Sequence, residues 1–136
     1  MLVVTSLTLL GCDATVRVDL ARNSTVGKMR FTTSEFSGRR GRLRNLSFVS
    51  IIPCLGSNME PDTTRGWILA RPVGDDAPAV TEFTYGVVPN GWTVHRPATP
   101  LSPGCYQISV QLTDRRPGGT EVIVDSTGSV RLANER

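Results

Sequence analysis

The chain has one histidine, three cysteines and few aromatic residues, 6% of its 136 positions. Each scarcity excludes something. A single histidine leaves little for an imidazole-based metal or acid–base centre, and His95 lies in an alternating segment that turns it to solvent. Cys12, Cys54 and Cys105 include no Cys-x-x-Cys pair, so the common zinc and thiol-redox spacings are missing. No apolar run approaches the ~20 residues of a membrane-spanning helix. There is no Gly-x-Ser-x-Gly elbow, and Gly38-Arg39-Arg40-Gly41 lacks the spacing and following helix of a phosphate loop. Asp75 and Asp76 are adjacent but lack the spaced oxygen donors of a calcium loop. We therefore expect no catalytic residue, no metal site and no cofactor, and read the chain as a non-enzyme.

What is present is turn chemistry between short apolar runs. Thirteen Gly and nine Pro punctuate the chain, and no stretch sustains apolar residues at helical spacing. Residues 15–20 alternate, with Val16, Val18 and Leu20 on one face and Arg17 and Asp19 on the other. Residues 28–33 are a weaker strand. Residues 43–52 become apolar on both faces, as a central strand does, and Pro53 ends them. Residues 66–71, 80–88, 92–96, 105–112, 121–124 and 129–132 complete the set. Pro89-Asn90-Gly91 is expected to turn 80–88 back into 92–96, and Ser126-Thr127-Gly128 to turn a final hairpin. Residues 115–119 (Arg-Arg-Pro-Gly-Gly) read as another turn. This pattern predicts an all-β fold, a single antiparallel β-sandwich of about seven to nine short strands, with a small β-barrel as the alternative.

The first residues carry a different signal. Residues 1–11 are uncharged and largely apolar, they end in Leu9-Leu10-Gly11 before Cys12, and charge begins at Asp13. That is the layout of a secretory leader and its small-residue cleavage site. The tetrad Leu-Leu-Gly-Cys resembles the bacterial lipobox. The resemblance implies that Cys12 becomes the first mature residue and carries lipid, so that residues 1–12 are leader and residues 13–136 one domain. No Lys or Arg precedes Cys12, and Met1 can be read as an internal methionine with the true start upstream. The competing reading of residues 2–10 is an ordinary buried strand.

Residues 83–92 (Phe-Thr-Tyr-Gly-Val-Val-Pro-Asn-Gly-Trp) and 100–110 (Pro-Leu-Ser-Pro-Gly-Cys-Tyr-Gln-Ile-Ser-Val) carry a second resemblance. They are similar to small bacterial lipoproteins with a Tyr-Gly-x-x-Pro-x-Gly turn followed by Pro-Leu-x-Pro-Gly-x-x-Tyr, here one residue shorter. The second piece also resembles the approach to the last strand in immunoglobulin-like and prealbumin-like domains. The resemblance implies a β-sandwich in the bacterial cell envelope, facing the periplasm or exterior, and no particular activity.

With Cys12 assigned to lipid, Cys54 and Cys105 remain as a pair. In an oxidising envelope compartment they are expected to form a disulfide, the alternative being two buried thiols. Arg39, Arg40, Arg42 and Arg44 form a basic cluster near Lys28 and Arg30, in a chain of net charge +3. They are candidates for contact with an anionic lipid surface, against the plainer reading of a solvated loop. Basic residues interleaved with exposed aromatics are not evident, so no nucleic acid is expected as partner. Trp67 reads as core. Trp92 and Tyr85 are candidates for stacking on a sugar, with core packing as the other fate of Trp92. The expected partners are a membrane, through the lipid anchor, and an envelope protein or glycan.

Overall fold

A computed structural model describes residues 16–35, 46–56, 60–71, 82–112 and 117–134. They form β1 (Val16–Leu20), β2 (Arg30–Glu35), β3 (Leu46–Pro53), β4 (Trp67–Ala70), β5 (Glu82–Thr84), β6 (Thr93–Arg96), β7 (Gly104–Leu112), β8 (Pro117–Val124) and β9 (Val130–Leu132). No helix occurs among the described residues. The fold is all-β, as expected. Its strands make one sheet in the order β5-β2-β1-β8-β7-β3-β4-β6, with β9 on β8. Among the described residues every strand pairing is antiparallel except one, the parallel contact of β1 with β8 at Val16 and Gly118.

The alternation of the sequence explains which face turns inward. In β7, Tyr106, Ile108, Val110 and Leu112 are buried while Gln107 and Gln111 are exposed. β3 pairs with both β7 and β4, and buries Val49 and Ile51 completely. The sheet curls around these side chains until its two ends meet. Phe83 of the terminal strand β5 stacks on Phe31 at 5.4 Å and meets Trp92, next to the opposite terminal strand β6, edge-on at 5.4 Å. The result is a half-barrel, the barrel-like form of the expected all-β architecture.

Two local expectations are corrected. The segment 80–88 was expected to pair with 92–96 across a turn, but β5 pairs with β2 and β6 with β4, at opposite ends of the sheet order. Two turns in succession replace the hairpin. Val87 N–H donates to the Thr84 carbonyl at 2.9 Å and Trp92 N–H to the Pro89 carbonyl at 3.2 Å, with Gly86 and Gly91 at φ 86° and 85°. Strand alternation shows which face is apolar and is silent on which neighbour a strand selects. The second correction concerns Gly118 and Gly119, expected in a turn but lying within β8. A Cβ on Gly118 would overlap the Val16 carbonyl oxygen, and one on Gly119 would sit 2.7 Å from that of Ile108. Here glycine permits close approach of backbones rather than a reversal.

The register sorts the half-barrel into two ends. Val16, Glu35, Leu46, Leu112 and Gly118 are mutual or near-mutual partners, so the start of β1, the end of β2 and the start of β3 share one end. Leu20 with Phe31, Arg30 with Thr84, Gly104 with Val124 and Pro53 with Tyr106 mark the other.

Replacing Gly118 with Ala should cost about 3 kcal/mol, because backbone on β1 has to move. Gly27, where an added Cβ would meet no other part of the protein within 4 Å, is the control: Gly27→Ala should stay within about 0.5 kcal/mol of wild type. Urea unfolding of both variants measures the difference.

Candidate functional site

Three groups of polar residues gather at the end marked by Thr84 and Val124. The first is the β1–β2 turn. Ser24 is buried; its hydroxyl donates to the Ala21 carbonyl at 2.8 Å and accepts from Arg30 N–H at 3.3 Å. The fully buried Met29 plugs the turn into the core, and its carbonyl accepts from Tyr85 N–H at 2.8 Å. The β8–β9 turn grips the other side, through Val26 N–H to the Gly128 carbonyl at 2.9 Å and Val130 N–H to the Ser24 carbonyl at 3.0 Å. That second turn is itself held by Asp125, whose Oδ1 accepts from Thr127 Oγ1 at 2.6 Å, Thr127 N–H at 2.9 Å and Ser129 N–H at 3.0 Å. These bonds, the Thr127 hydroxyl foremost, hold the Asp125 carboxyl below the usual range.

The backbone so fixed presents Arg22, Asn23, Lys28 and Arg30 around a groove of about 550 Å³, completed by Thr84 of β5. Asn23 turns the chain at φ 61°. Arg30 pairs with Glu82 at 3.6 Å, with both side chains more than half exposed. Such a pair contributes little to stability. A second groove of similar size, about 560 Å³, runs where β8 leaves β1; Gln107, Ser109, Gly119 and Glu121 line it, with no cation among its described lining residues.

The second polar group closes the connection into β4. Asp62 Oδ1 accepts from Thr64 N–H at 2.8 Å, Thr64 Oγ1 at 2.9 Å and Arg65 N–H at 3.0 Å, and Oδ2 from Arg65 Nε at 2.6 Å. The Arg65 guanidinium, then the two Thr64 donors, hold this carboxyl far below the ordinary carboxylate range. Arg96 Nη1 donates to the carbonyls of Asp62 at 3.1 Å and Arg65 at 2.9 Å. Thr99 joins the loop to the core: its hydroxyl accepts from Gly66 N–H at 2.8 Å, and its carbonyl from the Tyr85 hydroxyl at 2.6 Å. Gly66 is required there, since at φ 106° a Cβ would overlap the Ile51 carbonyl oxygen.

The third group is the cysteine pair. Cys54 and Cys105 are bridged, with Cα atoms 5.4 Å apart, and Cys54 N–H donates to the Cys105 carbonyl at 3.0 Å. A Glu121 carboxylate oxygen lies within 4.8 Å of both sulfurs. With the sulfurs bonded to each other neither is a thiolate, so this cluster in its oxidised form does not ligate a metal.

The aromatic candidates are placed inside. Trp92 is only 7% exposed and packs on Phe83, so its core reading describes it and no open face remains for a sugar. Its Nε1 is buried without a partner among the described residues. Tyr85 is half-buried, its ring edge-on to Trp67 at 5.4 Å and its hydroxyl committed to Thr99. Burial pushes the Tyr85 phenol up, against the Thr99 bond. Trp67 is core and His95 is exposed, both as expected. Cys12, the Asp75–Asp76 pair and Arg39, Arg40, Arg42 and Arg44 lie outside the described residues. The basic groove was missed by the sequence reading. Its available signal was Arg22 on one side of the turn between two strands and Lys28 and Arg30 on the other.

No protein-family model, curated protein or solved structure matches this chain.

Asp62 and Asp125 make an acid-stability prediction. Both folded-state pKa values are depressed, so their contribution is fully present above the unfolded value of about 3.9 and is lost as pH falls toward the folded ones. The amide resonances of Thr64 and Thr127 should hold still from neutral pH down to about 4.5 and move only below that. Movement centred near pH 6 would mean that other groups control these loops. At neutral pH, Asp62→Ala should speed hydrogen exchange at Thr64 and Arg65, and Asp62→Asn should do so less.

Proposed function

We propose that this chain is a non-catalytic binding or structural module of a bacterial cell envelope, tethered to a membrane through lipid on Cys12. The observation that carries the reading is the Cys54–Cys105 disulfide, because such bridges persist in oxidising, exported compartments. It joins the end of β3 to the start of β7. That is the end opposite the start of β1, from which the chain leads back to Cys12.

The sorting of the ends supports the same reading. Glu35 and Leu46, which flank the segment carrying Arg39, Arg40, Arg42 and Arg44, lie at the same end as Val16. A tether at Cys12 and a basic segment leaving that same end suit attachment to an anionic surface, with each cation near the bilayer contributing about 1 kcal/mol. The opposite end, with its bridge and its two aspartate-held turns, then faces away from the membrane. A glycan-stacking reading draws no support from Trp92, whose ring is in the core.

Two measurements test this. Expressed with its upstream coding sequence in a bacterial host, the wild-type chain should sediment with membranes and carry acyl mass on Cys12, and Cys12→Ser should be released; unchanged membrane association would remove the anchor. Non-reducing mass spectrometry of exported protein should find Cys54 joined to Cys105. The bridge closes a loop with a sequence separation of 51, so Cys54→Ser with Cys105→Ser should lose about 4 kcal/mol in urea unfolding. Free thiols in the native exported protein would contradict the compartment assignment.

A further inference from the structure

We propose that the groove at the β1–β2 turn is a binding site for the phosphate group of a soluble phosphate ester, held by Arg22, Lys28 and Arg30. Three cations line one concavity of about 550 Å³, a volume in the range of small-ligand sites. Among the described residues neither Arg22 nor Lys28 forms an ion pair, and the Glu82 partner of Arg30 stands at 3.6 Å. Among the described residues the lining therefore keeps an excess of two positive charges after Glu82 is counted, three cations less one carboxylate. Like charges gathered in a concave wall repel one another, and the same arrangement focuses an attractive field on an anion.

The backbone beneath the cations is held in advance. Buried Ser24 and Met29, the bonds from Val26 and Val130, and the Thr25–Ser129 bridge leave the turn little freedom. An anion entering the groove thus orders the exposed Arg and Lys side chains but no backbone, which removes one part of the cost of binding. Phosphate fits this donor set better than a carboxylate does. Guanidinium forks match pairs of phosphate oxygens, an ammonium adds a point charge, and the Asn23 amide and Thr84 hydroxyl supply neutral donors for further oxygens. The groove lies at the Arg30–Thr84 end, away from the start of β1 and the basic segment after β2. That placement favours a ligand in solution over a head group of the membrane beneath a Cys12 tether. The phosphate site does not depend on that tether, and a chain never acylated retains it.

The test is an amide NMR titration of the purified, non-acylated chain with inorganic phosphate and with glycerol 3-phosphate, at constant ionic strength. Saturable shifts are expected at Arg22, Asn23, Lys28 and Thr84. Arg22→Ser with Lys28→Ser should weaken binding at least about tenfold while leaving the rest of the spectrum in place. Glu82→Gln should strengthen it, since it removes the carboxylate that competes for Arg30; a misfolded variant would not gain affinity. Arg39→Ser, Arg40→Ser and Arg42→Ser together should bind as wild type. Shifts that never saturate, or that survive unchanged in the Arg22/Lys28 variant, overturn the site. So does binding confined to phosphatidylglycerol vesicles, which would make the surface a membrane contact.

Discussion

Phe83 packs against two rings that come from distant parts of the chain. It stacks on Phe31 of its neighbouring strand and makes a T-shaped contact with Trp92, just before the strand at the far side of the sheet. A sheet with this strand order has two open edges, and open edges are templates for unwanted pairing. The aromatic row draws those edges together, with no hydrogen-bonded ladder between them among the described residues. Each such pair contributes about 0.5–1.5 kcal/mol beyond the area it buries. The consequence exceeds that figure, because the curl it closes encloses Met29, Trp67, Leu69 and Ile108, all essentially inaccessible to water.

The single parallel contact between β1 and β8 is the second condition of the curl. Gly118 lets the two backbones meet at Val16, and through that contact the β5-β2-β1 portion joins the larger β8-β7-β3-β4-β6 portion. Once the portions are joined, the polar end organises itself from local chemistry. Asp62 and Asp125 each gather backbone and hydroxyl donors, Thr99 ties the β4 approach to Tyr85, and the disulfide links the central strands. The basic turn borrows its rigidity from the β8–β9 turn beside it. Electrostatics at this end are therefore a product of packing, since cations that belong to one hairpin are presented by bonds made to another.

Much of the strand inventory was legible because alternation is a local property. The apolar positions of β1, β3 and β7 could be read directly, and the final hairpin followed from Ser126, Thr127 and Gly128. The cysteine pair followed in the sequence only from the expectation that Cys12 carries lipid, and the bridge between Cys54 and Cys105 was found in the fold. The segment 80–88 was read as too long a strand and given the wrong partner. Val87 and Val88 continue its alternation, yet Gly86 has already turned the chain, leaving Val87 60% exposed. Gly118 and Gly119 misled for a related reason, since a glycine that reverses the chain and one that admits a neighbouring backbone are written identically.

By itself, the amino-acid sequence determined that the chain is all-β, which faces of its clearest strands are apolar, and that any disulfide is drawn from three cysteines. Each of these depends on residues close in sequence or on simple counting. Tertiary structure alone decided that β5 and β6 lie at opposite sides of a curled sheet, that Trp92 belongs to the core, and that Arg22, Lys28 and Arg30 surround one groove. Those outcomes depend on which strands become neighbours, a choice made by the joint burial of Phe31, Phe83 and Trp92, and no single segment of the chain encodes that burial on its own.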